Sequence, residues 1–246
     1  MLRKFYRHPS FINQPIKGFN QVGTLWRKTF LTIVVHRQIR KLTRPRVVLL
    51  RSHPRFRSLA SCHLPTVANL KGQSRSSDHG HLIKFLENNG KNLNEIYLRN
   101  TNNSLNLTIA RSCPKLKTLC TIFLLGEMET LKVIFDHCQQ LESVKVWCGG
   151  RCVDEEEILD AVVKSSPQTF RRLKIYHREK SRLPSEKLES FLLSWKERNP
   201  QKLLNLIIIN KEFANEENDA ILEKYQKLGI VKVFVERYDT EVHLFD

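Results

Sequence analysis

The sequence predicts an α/β solenoid of about six irregular repeats, with a parallel sheet on one face and helices on the other. Three observations lead to this fold class. An apolar triplet of constant spacing returns along the chain, a segment with helical periodicity precedes each triplet, and a recurring corner joins the two. The repeats occupy residues 81–246 and follow a basic N-terminal leader, residues 1–80, which we expect to be disordered or irregular.

Each triplet has the pattern apolar-x-x-apolar-x-apolar, which predicts a short strand whose first, fourth and sixth residues point into the interior. Successive triplets start 23, 25, 29, 33 and 27 residues apart. The second triplet departs from the pattern, because Thr121 stands where the third apolar residue is expected. The six triplets start at Leu93, Leu116, Leu141, Phe170, Leu203 and Ile230.

A segment with helical character precedes every triplet. In the third of these segments Leu131, Ile134 and Phe135 recur at the spacing of one helix face. Acidic residues stand at the start of others, as at Glu155 and Glu216, where the positive end of the helix dipole favours them. The expected helices comprise residues 81–89, 104–113, 127–138, 155–165, 185–198 and 216–227.

The corner between helix and strand has its own signature. A cysteine or a proline stands three residues before four of the strand starts, at Cys113, Cys138, Pro167 and Pro200. Proline ends a helix because it cannot donate the backbone hydrogen bond, and cysteine fits a corner as a small buried apolar group. The corner therefore marks the point at which each helix ends and each strand begins.

Together these features predict a leucine-rich-repeat solenoid. One strand and one helix cannot bury their apolar faces alone, whereas stacked copies share a continuous core. The alternative is a doubly wound α/β domain, in which strands and helices also alternate. The constant triplet spacing favours the repeat, since a doubly wound domain has no reason to keep it.

Two corners carry a resemblance to a known family. The stretches 112–119 and 137–144, with Cys113-Pro114 and Cys138-Gln139 at the corner, resemble the cysteine-containing class of leucine-rich repeat found in F-box proteins. The stretches 195–208 and 222–232 look similar to the C-terminal region of large fungal F-box-like families. The resemblance covers residues 81–246. It implies the substrate-recognition part of a cullin-type ubiquitin ligase, in which the repeats hold a target protein.

In that family a separate N-terminal F-box binds the ligase adaptor. The resemblance implies a Leu-Pro near the start of this compact helical module. Leu64-Pro65 is the sole Leu-Pro pair in residues 1–80, and the polar stretch 71–77 follows it as a linker. No F-box is recognised in this sequence, so a cullin-ligase adaptor is expected as a partner only if the F-box is cryptic.

The positive charge is concentrated at the N-terminus. Residues 1–80 hold 16 of the 41 Lys and Arg residues but one of the 25 Asp and Glu residues, and the repeats are nearly neutral. Three interpretations remain open: a disordered or truncated leader, an organelle transit peptide, and an arm that binds nucleic-acid phosphates without sequence specificity. The composition favours the leader, so nucleic acid is not the partner that we expect.

The sequence contains no recognisable catalytic constellation, cofactor site or metal site, so we expect no enzymatic activity. Cys148 and Cys152 flank a Gly-Gly turn, but zinc usually takes four ligands, and a loop with free thiols is the favoured interpretation. His137 and His177 have no carboxylate at a suggestive spacing. The acidic residues 154–157 are interpreted as a helix start rather than as paired catalytic carboxylates.

The phase of the repeat predicts which residues lie on the exposed face of the sheet. Aromatic and basic side chains stand together there, a combination suited to a hot spot for an acidic or mixed protein surface. The alternative is that Trp147 and Tyr176 pack against neighbouring loops and keep their polar ends in water. The face is predicted to carry Glu95, Ser143, Asn205, Ile207 and Ile209, together with the expected partner-binding residues Tyr97, Arg99, Lys145, Trp147, Arg172, Lys174 and Tyr176.

No apolar run approaches the roughly 18 residues of a membrane span, and we expect no secretory signal. A cytoplasmic or nuclear location is therefore expected rather than a mitochondrial one, with reduced cysteines and no membrane partner. The expected function is recognition of a target protein, whose identity the sequence does not reveal. The alternatives are non-specific nucleic-acid binding through residues 1–80 and a truncated paralogue that has lost its function.

Overall fold

The computed structural model of the chain describes residues 46–50, 67–73, 79–99, 101–177, 181–209 and 216–236. These residues belong to one compact unit, Pro45–Asp246. Helices and parallel strands alternate within it, which confirms the α/β class predicted from the sequence. The interpretations of the leader and of Leu64-Pro65 concern residues that lie largely outside the described ranges.

The described strands form one parallel sheet of eight strands, in which each strand pairs with its neighbours in the sequence. A doubly wound sheet reverses its strand order at one point. The uninterrupted order therefore argues against that alternative and is the order expected of stacked repeats. The strands are β1 (Arg46–Leu50), β2 (Val67–Gln73), β3 (Glu95–Arg99), β4 (Thr118–Cys120), β5 (Ser143–Cys148), β6 (Arg172–His177), β7 (Leu204–Ile209) and β8 (Val231–Glu236).

Six described α-helices precede strands β3 to β8, and consecutive helices contact one another. Each boundary lies at most two residues from the predicted one, so the predicted helices are confirmed. Nowhere in the described ranges does a helix combine the length and apolar character that crossing a bilayer requires. The helices are α1 (His79–Asn89), α2 (Asn103–Ser112), α3 (Met128–His137), α4 (Glu155–Ser165), α5 (Ser185–Lys196) and α6 (Glu216–Lys227).

The sheet begins earlier in the chain than the predicted boundary at residue 81. Strands β1 and β2 lie within the segment assigned to the leader, pair with each other, and join the sheet where β2 pairs with β3. Leu70 of β2 is fully buried in the core and is aligned with Ile96 of β3. The triplet pattern missed β2 because Gly72 stands in the position that Leu98 occupies in β3.

The corner is the same tight turn in four consecutive coils, where a coil denotes one helix and the strand that follows it. The N–H of the first triplet residue donates to the carbonyl three residues earlier, at 2.9, 3.1, 2.9 and 2.9 Å. Both corner cysteines are fully buried, as predicted, and Cys138 Sγ lies 3.4 Å from the Cys113 carbonyl oxygen. Successive corners therefore touch. The four carbonyls belong to Gly90, Cys113, Cys138 and Pro167.

One backbone carbonyl in each coil fixes where the strand of the next coil begins. The carbonyl of Asn94 accepts the N–H groups of Lys117 and Thr118 at 2.7 and 3.0 Å. This pattern, in which one carbonyl accepts two N–H groups, repeats at the following strand starts. Strands β3 to β6 therefore begin in register with one another. The repetitions join the carbonyl of Lys117 to the N–H groups of Glu142 and Ser143, and the carbonyl of Glu142 to those of Arg171 and Arg172.

The triplets form the interior, with exceptions in the last two coils. In the coils of β3 to β6 every triplet residue is buried, which confirms the predicted inward positions. Leu203 was predicted wrongly: it is 45% exposed, and Leu204 is buried instead. The indole of Trp195 packs against Phe170 and fills the interior at this corner. Val235, in the last described strand, is also a wrong prediction, since it is 57% exposed.

The polar triplet residue, Thr121, is satisfied by a buried asparagine. Its hydroxyl donates to Asn106 Oδ1 at 2.8 Å, and Asn106 Nδ2 donates to the Ile122 carbonyl at 3.1 Å. A buried hydroxyl costs free energy unless it is hydrogen-bonded. The contact with Asn106 therefore allows a polar residue to occupy an inward position without a large penalty.

Gly90 allows the first two described corners to approach closely. A Cβ atom on this residue would lie 2.5 Å from the Ser112 carbonyl oxygen and 2.9 Å from Cys113 Sγ. Because the nearer atom belongs to the backbone, the contact is relieved only by moving the coils apart. Gly90→Ala should lower the free energy of unfolding by about 1–3 kcal/mol, as measured by urea denaturation.

Gly80 supplies the matched control, because a Cβ atom there would meet nothing within 4 Å. This residue lies in α1, where alanine has a higher helix propensity than glycine. Gly80→Ala should leave the stability unchanged or raise it by up to about 1 kcal/mol. Equal losses of stability in the two variants would contradict the close approach of the corners at Gly90.

Candidate partner-binding face

The face of the sheet opposite the helices carries three rows of side chains. The helices and the inward strand residues share a core on one side of the sheet, and the alternate strand residues point to the other side. We call this second side the open face. Its first row is Asn69, Glu95, Thr118, Ser143, Arg172, Asn205 and Lys232; the middle row is Lys71, Tyr97, Cys120, Lys145, Lys174, Ile207 and Phe234; the third row includes Arg99, Trp147, Tyr176 and Ile209.

All seven residues expected to bind a partner lie on the open face, and they come from β3, β5 and β6. Arg172 is exposed, Trp147 is buried and the other five are half-buried. The parallel register brings together residues as far apart in the sequence as Tyr97 and Tyr176. The five half-buried residues are Tyr97, Arg99, Lys145, Lys174 and Tyr176.

Trp147 was predicted to be exposed, but its side chain belongs to a small apolar cluster. The residue is 7% exposed, and its ring packs against Tyr176 with centroids 5.9 Å apart. Cys120 and Cys152 complete the cluster, and Cys152 comes from the loop after β5. The alternative interpretation, in which the indole packs against a neighbouring loop, therefore describes Trp147.

Three further residues of the open face are buried although the repeat phase predicted exposure. These three buried residues are Ser143, Ile207 and Ile209. Ile207 is aligned between Lys174 and Phe234, so longer side chains on both adjacent strands shield it from water. Position on the outward side of a strand therefore does not ensure exposure in the middle of a wide sheet.

The centre of the open face is basic. Lys145 and Lys174 are aligned on adjacent strands, whose backbones lie about 4.8 Å apart in a parallel sheet. Arg99 lies in the third row, and Arg172 lies beside Ser143 in the first row. Among the side chains described in the three rows, the acidic one is Glu95. The side chains described in the three rows therefore carry more basic than acidic groups.

Three lysines lie over aromatic rings of the open face, and one of them, Lys232 Nζ, is 5.0 Å from the centroid of the Phe234 ring. Lys71 Nζ is 4.7 Å from the centroid of the Tyr97 ring, and Lys145 Nζ is 5.3 Å from the centroid of the Trp147 ring. Such cation–π contacts orient the ammonium groups and occupy the ring faces. The aromatic residues thus position cations on this surface.

The sequence analysis missed three residues of the middle row, Lys71, Phe234 and Cys120. Of these, Cys120 has a buried thiol. Burial raises the pKa of its thiol to about 11, while the positive charges of Lys145, Arg99 and Lys174 act to lower it. The three cations therefore lie within electrostatic reach of one thiol. Alternation from the inward Leu119 places Cys120 outward, but the polar third position of this triplet obscured the register in the sequence.

A second site lies at the carboxyl ends of β5 and β6, where a cleft of about 400 Å³ is lined by Glu155 and His177. Both side chains are nearly fully buried, and Glu155 Oε1 lies 2.5 Å from His177 Nδ1. Ser181 Oγ donates to Glu155 Oε2 at 2.5 Å. Sequence analysis found no carboxylate for His177 because Glu155 lies at the opposite end of the same coil and approaches only in the folded chain.

The Glu155–His177 pair ties the start of α4 to the end of β6. Cys148 is aligned with His177, and burial together with the Glu155 carboxylate raises the pKa of its thiol well above the ordinary value. A protonated thiol is a poor nucleophile, so Cys148 is not activated. Asp154 and Glu157 form a capping box, which confirms the interpretation of residues 154–157 as a helix start.

All five cysteines in the described ranges are buried and free. Across those ranges, no three His, Cys, Asp or Glu side chains are grouped as a metal site requires. Cys152 forms an isolated antiparallel bridge with Leu124, so the loop after β5 folds back onto the preceding coil. Gly149 and Gly150 make this turn with positive φ angles of 86° and 66°, a region that glycine adopts readily.

Compared with known proteins, the chain matches no protein-family model, and no curated protein matches it either.

Glu155 and Glu156 provide a matched pair for testing the buried contact. Glu155→Gln should lower the free energy of unfolding by about 2 kcal/mol, because it replaces the carboxylate in a buried contact with the His177 imidazole and the Ser181 hydroxyl. Glu156 also contacts a base, Lys187 Nζ at 2.5 Å, but the two side chains are 45% and 54% exposed. Glu156→Gln should therefore cost at most about 1 kcal/mol. Urea denaturation at neutral pH measures both changes, and similar losses would argue against a structural role for the Glu155–His177 pair.

Cys120 should contribute to a loss of stability at alkaline pH. The folded thiol keeps its proton up to a pKa of about 11, whereas the unfolded thiol ionises near its ordinary value of 9.0. Ionisation therefore favours the unfolded state as the pH rises above this ordinary value, by about 1.4 kcal/mol at pH 10. Urea denaturation at pH 7.5 and pH 10 should show a smaller decline for Cys120→Ala than for the wild-type protein. Parallel declines would show that Cys120 is not the buried acid described.

Proposed function

We propose that this chain is a leucine-rich-repeat recognition module that binds a target protein through its open face. The observation that carries the proposal is the alignment of seven aromatic and basic residues from three strands on one side of the sheet. A sheet face without helices is the extended surface that stacked repeats commonly use for binding. The proposal therefore assigns function to a surface rather than to a catalytic group.

Three features support the leucine-rich-repeat class. The strands follow one another across the sheet in chain order. Triplets with the same internal spacing are buried in the coils of β3 to β6. A repeated tight turn, occupied by cysteine at Cys113 and Cys138, joins helix and strand. Each feature follows from stacking coils of similar length.

The composition of the open face supports protein recognition. Tyrosine, tryptophan and arginine are enriched among the residues that contribute most to protein interfaces. Tyr176 packs against the buried Trp147, and Lys71 lies over Tyr97, so these side chains already have defined positions. Side chains that are ordered before binding lose less conformational entropy in the complex. A partner would therefore meet a preorganised surface.

The resemblance of the Cys113 and Cys138 corners extends the proposal to a role like that of the substrate-recognition part of an F-box subunit. In that role the open face holds the target, and an adaptor of the ligase binds elsewhere on the chain. The Leu64-Pro65 pair and most of residues 1–80 lie outside the described ranges. Adaptor binding is therefore tested separately from target binding.

Cross-linking of the full chain in cells, followed by mass spectrometry, tests the proposal. The variant Arg172→Glu/Lys174→Glu reverses two charges on the open face. Its matched control, Arg111→Glu/Lys164→Glu, reverses two charges on exposed residues of α2 and α4. Proteins cross-linked to the wild type and to the control should be lost from the open-face variant. An identical set for all three proteins would overturn the proposal.

A further inference from the structure

A serine hydroxyl ties the segment between β6 and α5 to the start of α4. Ser181 Oγ donates a hydrogen bond to Glu155 Oε2 at 2.5 Å, across 26 positions of the chain. The other carboxylate oxygen, Glu155 Oε1, lies 2.5 Å from His177 Nδ1. Glu155 is 9% exposed, so its carboxylate is satisfied by side chains rather than by bulk water. Ser181 therefore replaces part of the solvation that burial removes.

Ser181 lies near the surface and outside the described helices and strands. The residue is half-buried, and the adjacent Arg182 is exposed. The N–H of Leu183 donates to Ser181 Oγ at 3.3 Å, a local contact of the kind that serine makes in turns. A local opening that leaves β6 and α5 intact is therefore sufficient to expose the hydroxyl.

The charges around Ser181 in the sequence suit a protein kinase that selects basic residues. Arg178 stands three residues before Ser181, and Lys180 and Arg182 flank it directly. Protein kinases distinguish their substrates by such charge patterns. Ser185 also follows an arginine by three residues, but it is 6% exposed and is the first residue of α5. The structure therefore separates two serines that the sequence pattern does not.

A phosphate on Ser181 is incompatible with the contact to Glu155. The esterified oxygen has no proton to donate, and the phosphate carries about −1.5 to −2 charges at pH 7. Asp154 and Glu156 flank Glu155 in the chain and line the same cleft, so the phosphate would stand among carboxylates. A phosphate placed beside acidic residues disrupts the local structure by repulsion between like charges. Modification therefore favours a position of the segment away from α4.

We propose that Ser181 is a phosphorylation site whose modification releases the segment between β6 and α5 from Glu155. Ser181 Oγ forms a bond to the γ-phosphorus of a nucleoside triphosphate, and the bond from that phosphorus to the β–γ bridging oxygen breaks. The hydroxyl proton passes to a base of the kinase, and the nucleoside diphosphate leaves. The exposed guanidinium of Arg182 is a neighbouring cation for the displaced phosphate.

The inference goes beyond the proposed function, although the modified segment follows the strand that carries part of the open face. Tyr176 of the third row directly precedes His177, and its ring packs against Trp147. Release of Ser181 removes a constraint close to this end of β6. An effect of phosphorylation on target binding therefore rests on the proposed function, whereas the modification and its effect on stability do not.

Phosphorylation of the purified full chain tests the inference. The chain is incubated with ATP and a protein kinase that selects serine with arginine three residues before it, and mass spectrometry locates the phosphates. A synthetic peptide of residues 174–188 is the reference without tertiary structure. Ser181 should be modified in both the folded chain and the peptide. Ser185 should be modified in the peptide alone, because helix α5 and burial protect it in the folded chain.

Urea denaturation of the treated and untreated chain measures the consequence. Phosphorylation should raise the equilibrium constant for unfolding about thirtyfold, because the buried carboxylate loses a donor and gains a like charge beside it. In Glu155→Gln the increase should be about fivefold or less, since the repelled charge is absent. Ser181→Ala, given the same treatment, retains every other serine and is the matched control, and its stability should not respond.

Three outcomes would overturn the inference. The first is that the folded chain remains unmodified at Ser181, whether or not the peptide is modified. The second is equal modification of Ser181 and Ser185 in the folded chain, since transfer would then follow unfolding of α5. The third is an equal response of the wild type and Ser181→Ala to the treatment. The proposed function fails separately, when the cross-linked proteins persist in Arg172→Glu/Lys174→Glu.

Discussion

The rows of the open face exist because each coil is hydrogen-bonded to the next in the same register. The carbonyls of Asn94, Lys117 and Glu142 each accept two N–H groups from the start of the following strand. Side chains alternate along a strand, so a slip by one residue would exchange the inward and outward sets. Such a slip would place Lys145 and Lys174 in the core and expose their apolar neighbours. The backbone contact between coils thus determines which residues meet a partner.

Polar side chains reinforce this stacking where the backbone pattern varies. Arg198 follows α5 and donates hydrogen bonds to the hydroxyl of Ser166 and, at 2.7 Å, to the carbonyl of Ser166. The guanidinium of Arg198 also lies over the Trp195 ring. Asn106 satisfies Thr121 inside the core, and Glu155 joins α4 to β6. Each contact meets the hydrogen-bonding requirement of a buried group that the apolar triplets do not satisfy. The irregular repeat lengths are therefore compatible with a continuous interior.

Helices and inward strand positions were predictable because both follow from local periodicity. The segments around Leu131 and Leu188 have the spacing of a helix face, and the triplet of β5 has the spacing of a half-buried strand. The exposure of Leu203 was not predictable, because the adjacent Leu204 is equally apolar and is the buried residue instead. The Glu155–His177 contact and the burial of Trp147 were not predictable either. Both depend on which loops lie over the ends of the strands, and no local pattern encodes that arrangement.

The predicted outward phase located the open face correctly in β3, β5 and β6 but gave no measure of accessibility. Ile207 is outward and buried because Lys174 and Phe234 stand on both sides of it. Cys120 was missed because β4 is short and its triplet ends in a polar residue. Side-chain length on neighbouring strands, rather than the phase of one strand, determines what a partner can reach.

The chain-order sheet has a mechanical consequence. Coils in such an array contact only the preceding and following coils, so cohesion is local and decreases toward the ends. The last described coil leaves Leu228 and Val235 more than half exposed, at 55% and 57%, and is held from one side within the described sheet. A ligand lying along one strand would touch a single coil. A ligand lying along one row, and hence across several strands, would instead contact several coils and stabilise the last of them.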